Sequence, residues 1–170
     1  MQGRARQLIP SRVATILVWR SRLRNRRIPP QIPHPDMPAI KAFIVEDSPV
    51  IRENLIAALE ELAPVKVVGT AEYEPAAVKG LGDTEHDCAL VIIDIFLKRG
   101  SGLGVLRAAS DLSRPMSLVV LSNYATSDMR RKCLELGASR VFDKSNEIDA
   151  LIAYCVRLAD GETGPISLTA

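Results

Sequence analysis

From residue 39 onward the chain alternates short apolar runs with amphipathic stretches. Apolar runs at Ile40–Val45, Val65–Thr70, Cys88–Asp94, Ser117–Leu121 and Ser139–Phe142 predict five strands. The continuous run of the third suits a strand buried on both faces of a parallel sheet. Between the strands the period lengthens. Val50, Ile51, Leu55, Ala58, Leu59 and Leu62 recur at helical spacing, with Ser48 and Pro49 as N-cap and first helical position and Pro64 as the stop. A short helix is predicted over Glu74–Leu81, and one carrying Leu103, Leu106 and Ala109 after a loop punctuated by Gly100, Gly102 and Gly104. The next helix, capped by Ser127 or Asp128, ends at Gly137 in a left-handed C-cap. A last helix, capped by Ser145 or Asn146, carries Ile148, Leu151, Ile152, Cys155, Val156 and Leu158. Five strand–helix units of this size predict an α/β fold: an open, doubly wound parallel sheet with helices on both faces.

The residues that end the apolar runs carry the chemistry. The first run leads into Glu46 and Asp47, the third into Asp94, the fourth into Ser122 and the fifth into Lys144. In an open parallel sheet the carboxyl ends of the strands share one edge, where ligands bind. That edge then holds three carboxylates, a hydroxyl and an ammonium. Adjacent carboxylates repel, and a hard divalent cation removes the repulsion. Magnesium takes one or two carboxylates, a carbonyl, waters and phosphate oxygens. Asp94 is then a nucleophile toward a phosphoryl donor, Lys144 a point charge for one phosphoryl oxygen, and Ser122 a donor to another. Taken singly, each residue has a plainer reading as turn former, helix cap or solvated charge. The ordered set is what points to chemistry.

Charge divides the chain. Of its 170 residues, the first 37 hold eight arginines against Asp36 alone, a net +7, and the rest carry a net −5. Residues 1–37 are read as a basic, proline-rich leader: disordered or a mis-assigned start with Met37 as the true one, a basic tether for anionic lipid or nucleic acid, or an interfacial amphipathic helix. The apolar stretch Val13–Trp19 is too short to span a bilayer and lacks the cleavage site of a signal peptide. The domain is placed at 38–160, with a short tail at 161–170. Its acidity argues against direct DNA binding. The three cysteines, Cys88, Cys133 and Cys155, have no metal or disulfide spacing, which fits a reducing cytoplasm; Cys88 and Cys155 read as buried small hydrophobes.

The pieces Phe43-Ile44-Val45-Glu46-Asp47-Ser48, Val91-Ile92-Ile93-Asp94, Gly102-Leu103, Val119-Val120-Leu121-Ser122 and Phe142-Asp143-Lys144 resemble the receiver (response-regulator, CheY-like) domain of two-component signalling, over about Pro38–Ala159. The resemblance implies a flavodoxin-like sheet of order 2-1-3-4-5. It implies Asp94 as phosphoacceptor, and Mg2+ on Glu46 (through water), Asp47, Asp94 and the Phe96 carbonyl. Ser122 is then the switch hydroxyl and Lys144 the phosphate-binding lysine.

The expected protein is a cytoplasmic stand-alone receiver without an output domain, a switch rather than a metabolic enzyme. It would accept a phosphoryl group from a sensor histidine kinase or phosphotransfer protein. It would signal to a downstream protein by contact or phosphorelay, with no membrane contact through the leader expected. Four departures stand out. Leu97-Lys98-Arg99 replaces the usual Met-Pro, with one or two extra residues before Gly102; Asn123 follows the switch hydroxyl; Val141 stands in place of the aromatic switch residue; and Ser145 stands where proline is common. Alternation puts Phe142 on the face opposite Val141. The alternatives are a constitutive, phosphorylation-independent interaction module on the same fold, motivated by Asn123 and Val141, and an aspartyl phosphohydrolase, disfavoured by Phe96 where Asp-x-Asp would be needed.

Overall fold

A computed structural model describes residues 38–162, apart from the side chain of His86; the leader, including Trp19, and the tail beyond Glu162 lie outside the described residues. The strands are β1 (Ile40–Val45), β2 (Val65–Ala71), β3 (Leu90–Ile93), β4 (Ser117–Ser122) and β5 (Arg140–Asp143). The helices are α1 (Pro49–Leu62), α2 (Glu74–Gly82), α3 (Gly102–Asp111), α4 (Ser127–Glu135) and α5 (Ile148–Ala159), with a short 3-10 turn at Thr84–His86. The sheet is parallel throughout, in the order β2-β1-β3-β4-β5.

The central strands are buried on both faces, which is why their runs are almost uninterrupted. Phe43, Val45, Val91, Ile93, Leu118, Val120 and Val141 face one way, onto Ala77 and Leu81 of α2, Val105, Leu106 and Ala109 of α3, and Cys133 of α4. The intervening residues Ile44, Ile92, Val119, Leu121 and Phe142 point to the opposite face. Phe142 there meets Tyr154 of α5, ring centroids 5.9 Å apart, and Tyr154 shares a 2.5 Å hydrogen bond with Ser117. Alternation therefore separates Val141 from Phe142 as the sequence implies. All three cysteines are buried and unpaired.

Several local expectations shift. β3 begins at Leu90, not Cys88; a 3-10 turn at Thr84–His86 comes before it, and the Ala89 amide already bonds to Lys41 O. Ser48 sits at the N-cap of α1, but its side chain makes no cap; its N–H donates to Glu46 Oε1 at 3.0 Å instead. The cap of α4 is Thr126, whose Oγ1 accepts from the Met129 amide, not Ser127 or Asp128. For α5 the N-cap position is Glu147, not Ser145 or Asn146, and its carboxylate is engaged elsewhere. Gly102 and Gly104 lie in α3 rather than in the loop before it. Gly137, at φ +100°, takes the left-handed conformation expected of it. No cis peptide occurs among the described residues, so the Lys144–Ser145 bond is trans.

Candidate functional site

Strand register explains which side chains converge. Val45 pairs with Ile93, Ile93 with Val120, and Val120 with Val141. Glu46, Asp94, Leu121 and Phe142 thus stand abreast at the sheet's carboxyl edge. The ladder continues past the strand ends: Glu46 N–H donates to Ala71 O, Asp94 N–H to Val45 O, and Lys144 N–H to Ser122 O. Glu46, Asp94 and Lys144 have the same parity as Ile44, Ile92 and Phe142, so alternation directs them to one side. Lys144 is two residues beyond Phe142, and its long stem spans the distance across β4.

The result is a buried cluster. Lys144 Nζ donates to Glu46 Oε2 at 2.5 Å and to Asp94 Oδ2 at 2.7 Å. Lys144 and Glu46 are each 2% exposed, Asp94 8% and Ser122 fully buried. One carboxylate oxygen from each of Glu46, Asp47 and Asp94 lies within 4.8 Å of the others. Backbone amides order these groups: Phe96 N–H donates to Asp94 Oδ1, Lys98 N–H to Asp47 Oδ2, and Tyr124 N–H to Ser122 Oγ. Burial pushes the Glu46 carboxyl above its ordinary range; the Lys144 ammonium pulls it down without cancelling that, and the Asp94 charge adds to the rise. One ammonium among three carboxylates leaves the cluster with excess negative charge, and its hard oxygen donors are those a small divalent cation takes.

The structure thus brings Glu46, Asp47, Asp94 and Lys144 together, with Ser122 at the end of the adjoining strand. Phe96 and Tyr124 form an edge-on pair at the rim, centroids 5.1 Å apart and both exposed. Asn123 is exposed, and Val141 is buried at the end of the α2–α4 core.

Four supporting residues escaped the sequence reading. Arg52 of α1 donates to Glu46 O and pairs with Glu72, both at 3.0 Å. Glu74 accepts from the Ser101 amide at 2.6 Å, against Gly100 and Gly104, where any Cβ would collide with it. The glycine-rich loop was the available signal: successive glycines mark a close approach, and here the visitor is a carboxylate at a helix N-terminus. Arg130 and Glu147 carried no local signal. Gly102 packs so closely that a Cβ would fall 2.0 Å from Asp94 O, which fixes α3 directly against the backbone of the cluster.

Comparison with known proteins bears on the family and the fold. Residues 42–155 match the response regulator receiver domain family. A protein-glutamate methylesterase/protein-glutamine glutaminase from Syntrophus aciditrophicus is 32% identical over 107 residues, 62% of this chain and 30% of that protein. The transcriptional regulatory protein YdfI of Bacillus subtilis is 25% identical over 111 residues, 65% of this chain and 51% of its own. The chain thus spans about a third to a half of these relatives.

Among solved structures, the response regulator domain of Thermotoga maritima CheB superposes with a TM-score of 0.60 at 20% identity, covering 75% of this chain and 99% of that one. A Burkholderia pseudomallei response regulator with a phosphorylated aspartic acid, a calcium ion and citrate gives 0.60 at 20% identity, covering 72% and 69%. Those likenesses establish the fold. With the family match over most of the described residues, the chain belongs to the response regulator receiver family.

Proposed function

We propose that this receiver is a phosphorylation-controlled switch with Asp94 as its phosphoacceptor. The observation that carries the reading is the buried Lys144 ammonium bonded to both Asp94 and Glu46, with Asp47 completing the acidic cluster. A lone buried carboxylate beside a lysine would make a neutral structural pair. Three carboxylates clustered with one lysine leave an excess of negative charge, which a divalent cation would offset so that an anionic phosphoryl group can approach.

In the proposed reaction an Asp94 carboxylate oxygen attacks the phosphorus of a phosphohistidine in a kinase or phosphotransfer protein. The new P–O bond forms as the P–N bond breaks and imidazole leaves. The Lys144 ammonium, already 2.7 Å from Asp94 Oδ2, stabilises one phosphoryl oxygen. The Ser122 hydroxyl donates to another while its oxygen keeps the Tyr124 amide. Glu46, Asp47, Asp94 and the Phe96 carbonyl are the groups that would hold Mg2+, which when bound neutralises charge on the transferred group. Water attack on the acyl phosphate later releases phosphate and restores the carboxylate. Such a protein promotes only its own phosphorylation and dephosphorylation. Its output is a change in the α4–β5–α5 surface read by a partner protein, or onward phosphotransfer.

The test is phosphate-affinity electrophoresis after incubation with a small acyl phosphate or a histidine kinase, with and without magnesium. A magnesium-dependent shifted band, absent from Asp94→Asn, is expected. An Asp94→Asn protein phosphorylated to the wild-type level would refute the reading. A second reading, a constitutive binding module, draws on Asn123 and Val141: with no aromatic side chain at position 141, one familiar route from site to surface is missing. It requires partner binding of equal strength with and without phosphodonor and magnesium.

A further inference from the structure

With valine at position 141, another group must connect the site to the α4–β5–α5 surface if the domain switches. One residue touches all the relevant segments. Arg130, on the first turns of α4, donates from Nε to Ala125 O at 3.0 Å, from one terminal nitrogen to Val141 O at 2.6 Å, and from the other to Glu147 Oε2 at 2.6 Å. That Glu147 oxygen also accepts from the Asp143 amide at 2.7 Å. Ala125 is three residues past Ser122, and Asp143 directly precedes Lys144. The guanidinium therefore joins the backbone of the Ser122 loop, the backbone of Val141 itself, and the N-terminal end of α5.

We propose that Arg130 is the positioning residue that couples the site to the α4–β5–α5 surface, in the place of an aromatic switch side chain. The inference rests on the reading of Asp94 as phosphoacceptor. A guanidinium is a rigid planar fork whose donors keep fixed mutual directions. In the form described here all three directions are satisfied. When Ser122 closes on a phosphoryl oxygen, Ala125 moves with its loop. The fork cannot follow Ala125 and also hold Val141 O and Glu147, so the clasp shifts and the Asp143–Glu147 segment and first turn of α5 loosen. Coupling of this kind needs two discrete arrangements of one element: here the closed clasp that the structure shows and the shifted one proposed for the phosphorylated form. Lysine cannot replace it, because one ammonium does not present three coplanar donors to these acceptors.

Hydrogen exchange on the whole chain tests this. Wild type, Arg130→Met and Arg130→Lys are compared with and without acetyl phosphate and magnesium, and the phosphorylated fraction is measured on the same samples. In wild type, phosphorylation is expected to alter exchange in residues 125–129 and 141–151. In both variants basal exchange there rises at least about fivefold. The further change on phosphorylation falls by more than half, although Asp94 is still phosphorylated. A merely structural Arg130 would raise basal exchange and leave the phosphorylation-dependent change intact; that result overturns the proposal. So does a wild-type protein that is phosphorylated with no change in these segments. A wild type that takes no phosphoryl group overturns the Asp94 reading first, and the coupling with it. Should Arg130→Met fail to fold, Arg130→Lys, which keeps charge and most of the bulk, decides alone.

Discussion

Replacing Lys144 by methionine isolates what the buried ammonium does. The apolar stem is kept, and the Nζ bonds of 2.5 Å to Glu46 and 2.7 Å to Asp94 are lost. Two carboxylates at 2% and 8% exposure then face one another and Asp47 with no positive charge among them. Removing one partner of a buried pair costs about 3–5 kcal/mol, because the remaining charge is left uncompensated. The loss depends on pH in a definite direction. Burial already holds the Glu46 carboxyl above its ordinary value of 4.5 in the folded protein, and losing Lys144 raises it further.

The folded state therefore binds more protons than the unfolded chain just above that ordinary value, and stability falls as pH rises through the window between the two. The deficit of Lys144→Met relative to wild type is expected to be largest near neutrality and to shrink toward pH 4.5, where Glu46 is protonated when folded. Urea unfolding at a series of pH values reads this directly. Magnesium, with no ammonium competing for the same oxygens, should stabilise the variant more than it stabilises wild type. A deficit below about 1 kcal/mol and flat with pH would refute the picture of a charge-compensated cluster.

Other outcomes follow from the same structure. Gly102→Ala places a Cβ 2.0 Å from Asp94 O, a backbone atom that cannot step aside; denaturant unfolding should show a loss of about 1–3 kcal/mol, and phosphorylation should slow. In Glu147, partial burial works against ionisation but is outweighed by hydrogen bonds from Arg130 and the Asp143 amide, which hold its carboxyl below its ordinary range. Its contribution is thus present above the ordinary glutamate value and lost as pH falls through the lowered one. Glu147→Gln should therefore be less stable than wild type near neutrality by under about 1 kcal/mol, with the gap closing in acid; pH-resolved thermal melts check this. Burial pushes the Cys155 thiol up to about 12, so mass mapping should show it resisting alkylation at pH 8 until the protein unfolds.

The sheet and the acidic cluster were legible because both depend on periodicities of sequence. A run buried on both faces is apolar throughout, and the residue ending each run must lie at the carboxyl edge of a parallel sheet. Parity then places Glu46, Asp94 and Lys144 on one side. What local pattern misses is competition from distant groups. Ser48 has the right chemistry to cap α1, but the buried Glu46 carboxylate needs its amide. Glu147 occupies the N-cap position of α5 without capping it, and its carboxylate instead accepts from Arg130, 17 residues earlier in the chain. Glu74 looks like an ordinary first-turn acid until α3 is laid against it, with Gly100 and Gly104 making the room. In each case the partner is brought close by the tertiary fold, so no spacing rule along one element finds it.

Everything proposed for this site depends on where a phosphoryl group goes. The most direct measurement is peptide mapping after acetyl phosphate and magnesium treatment, with borohydride reduction to trap the acyl phosphate. A single magnesium-dependent reduction site is expected at Asp94, lost in Asp94→Asn with no transfer of label to Asp47 or Glu46. A trapped site at any other carboxylate, or none in folded protein exposed to an active kinase as well, would contradict it.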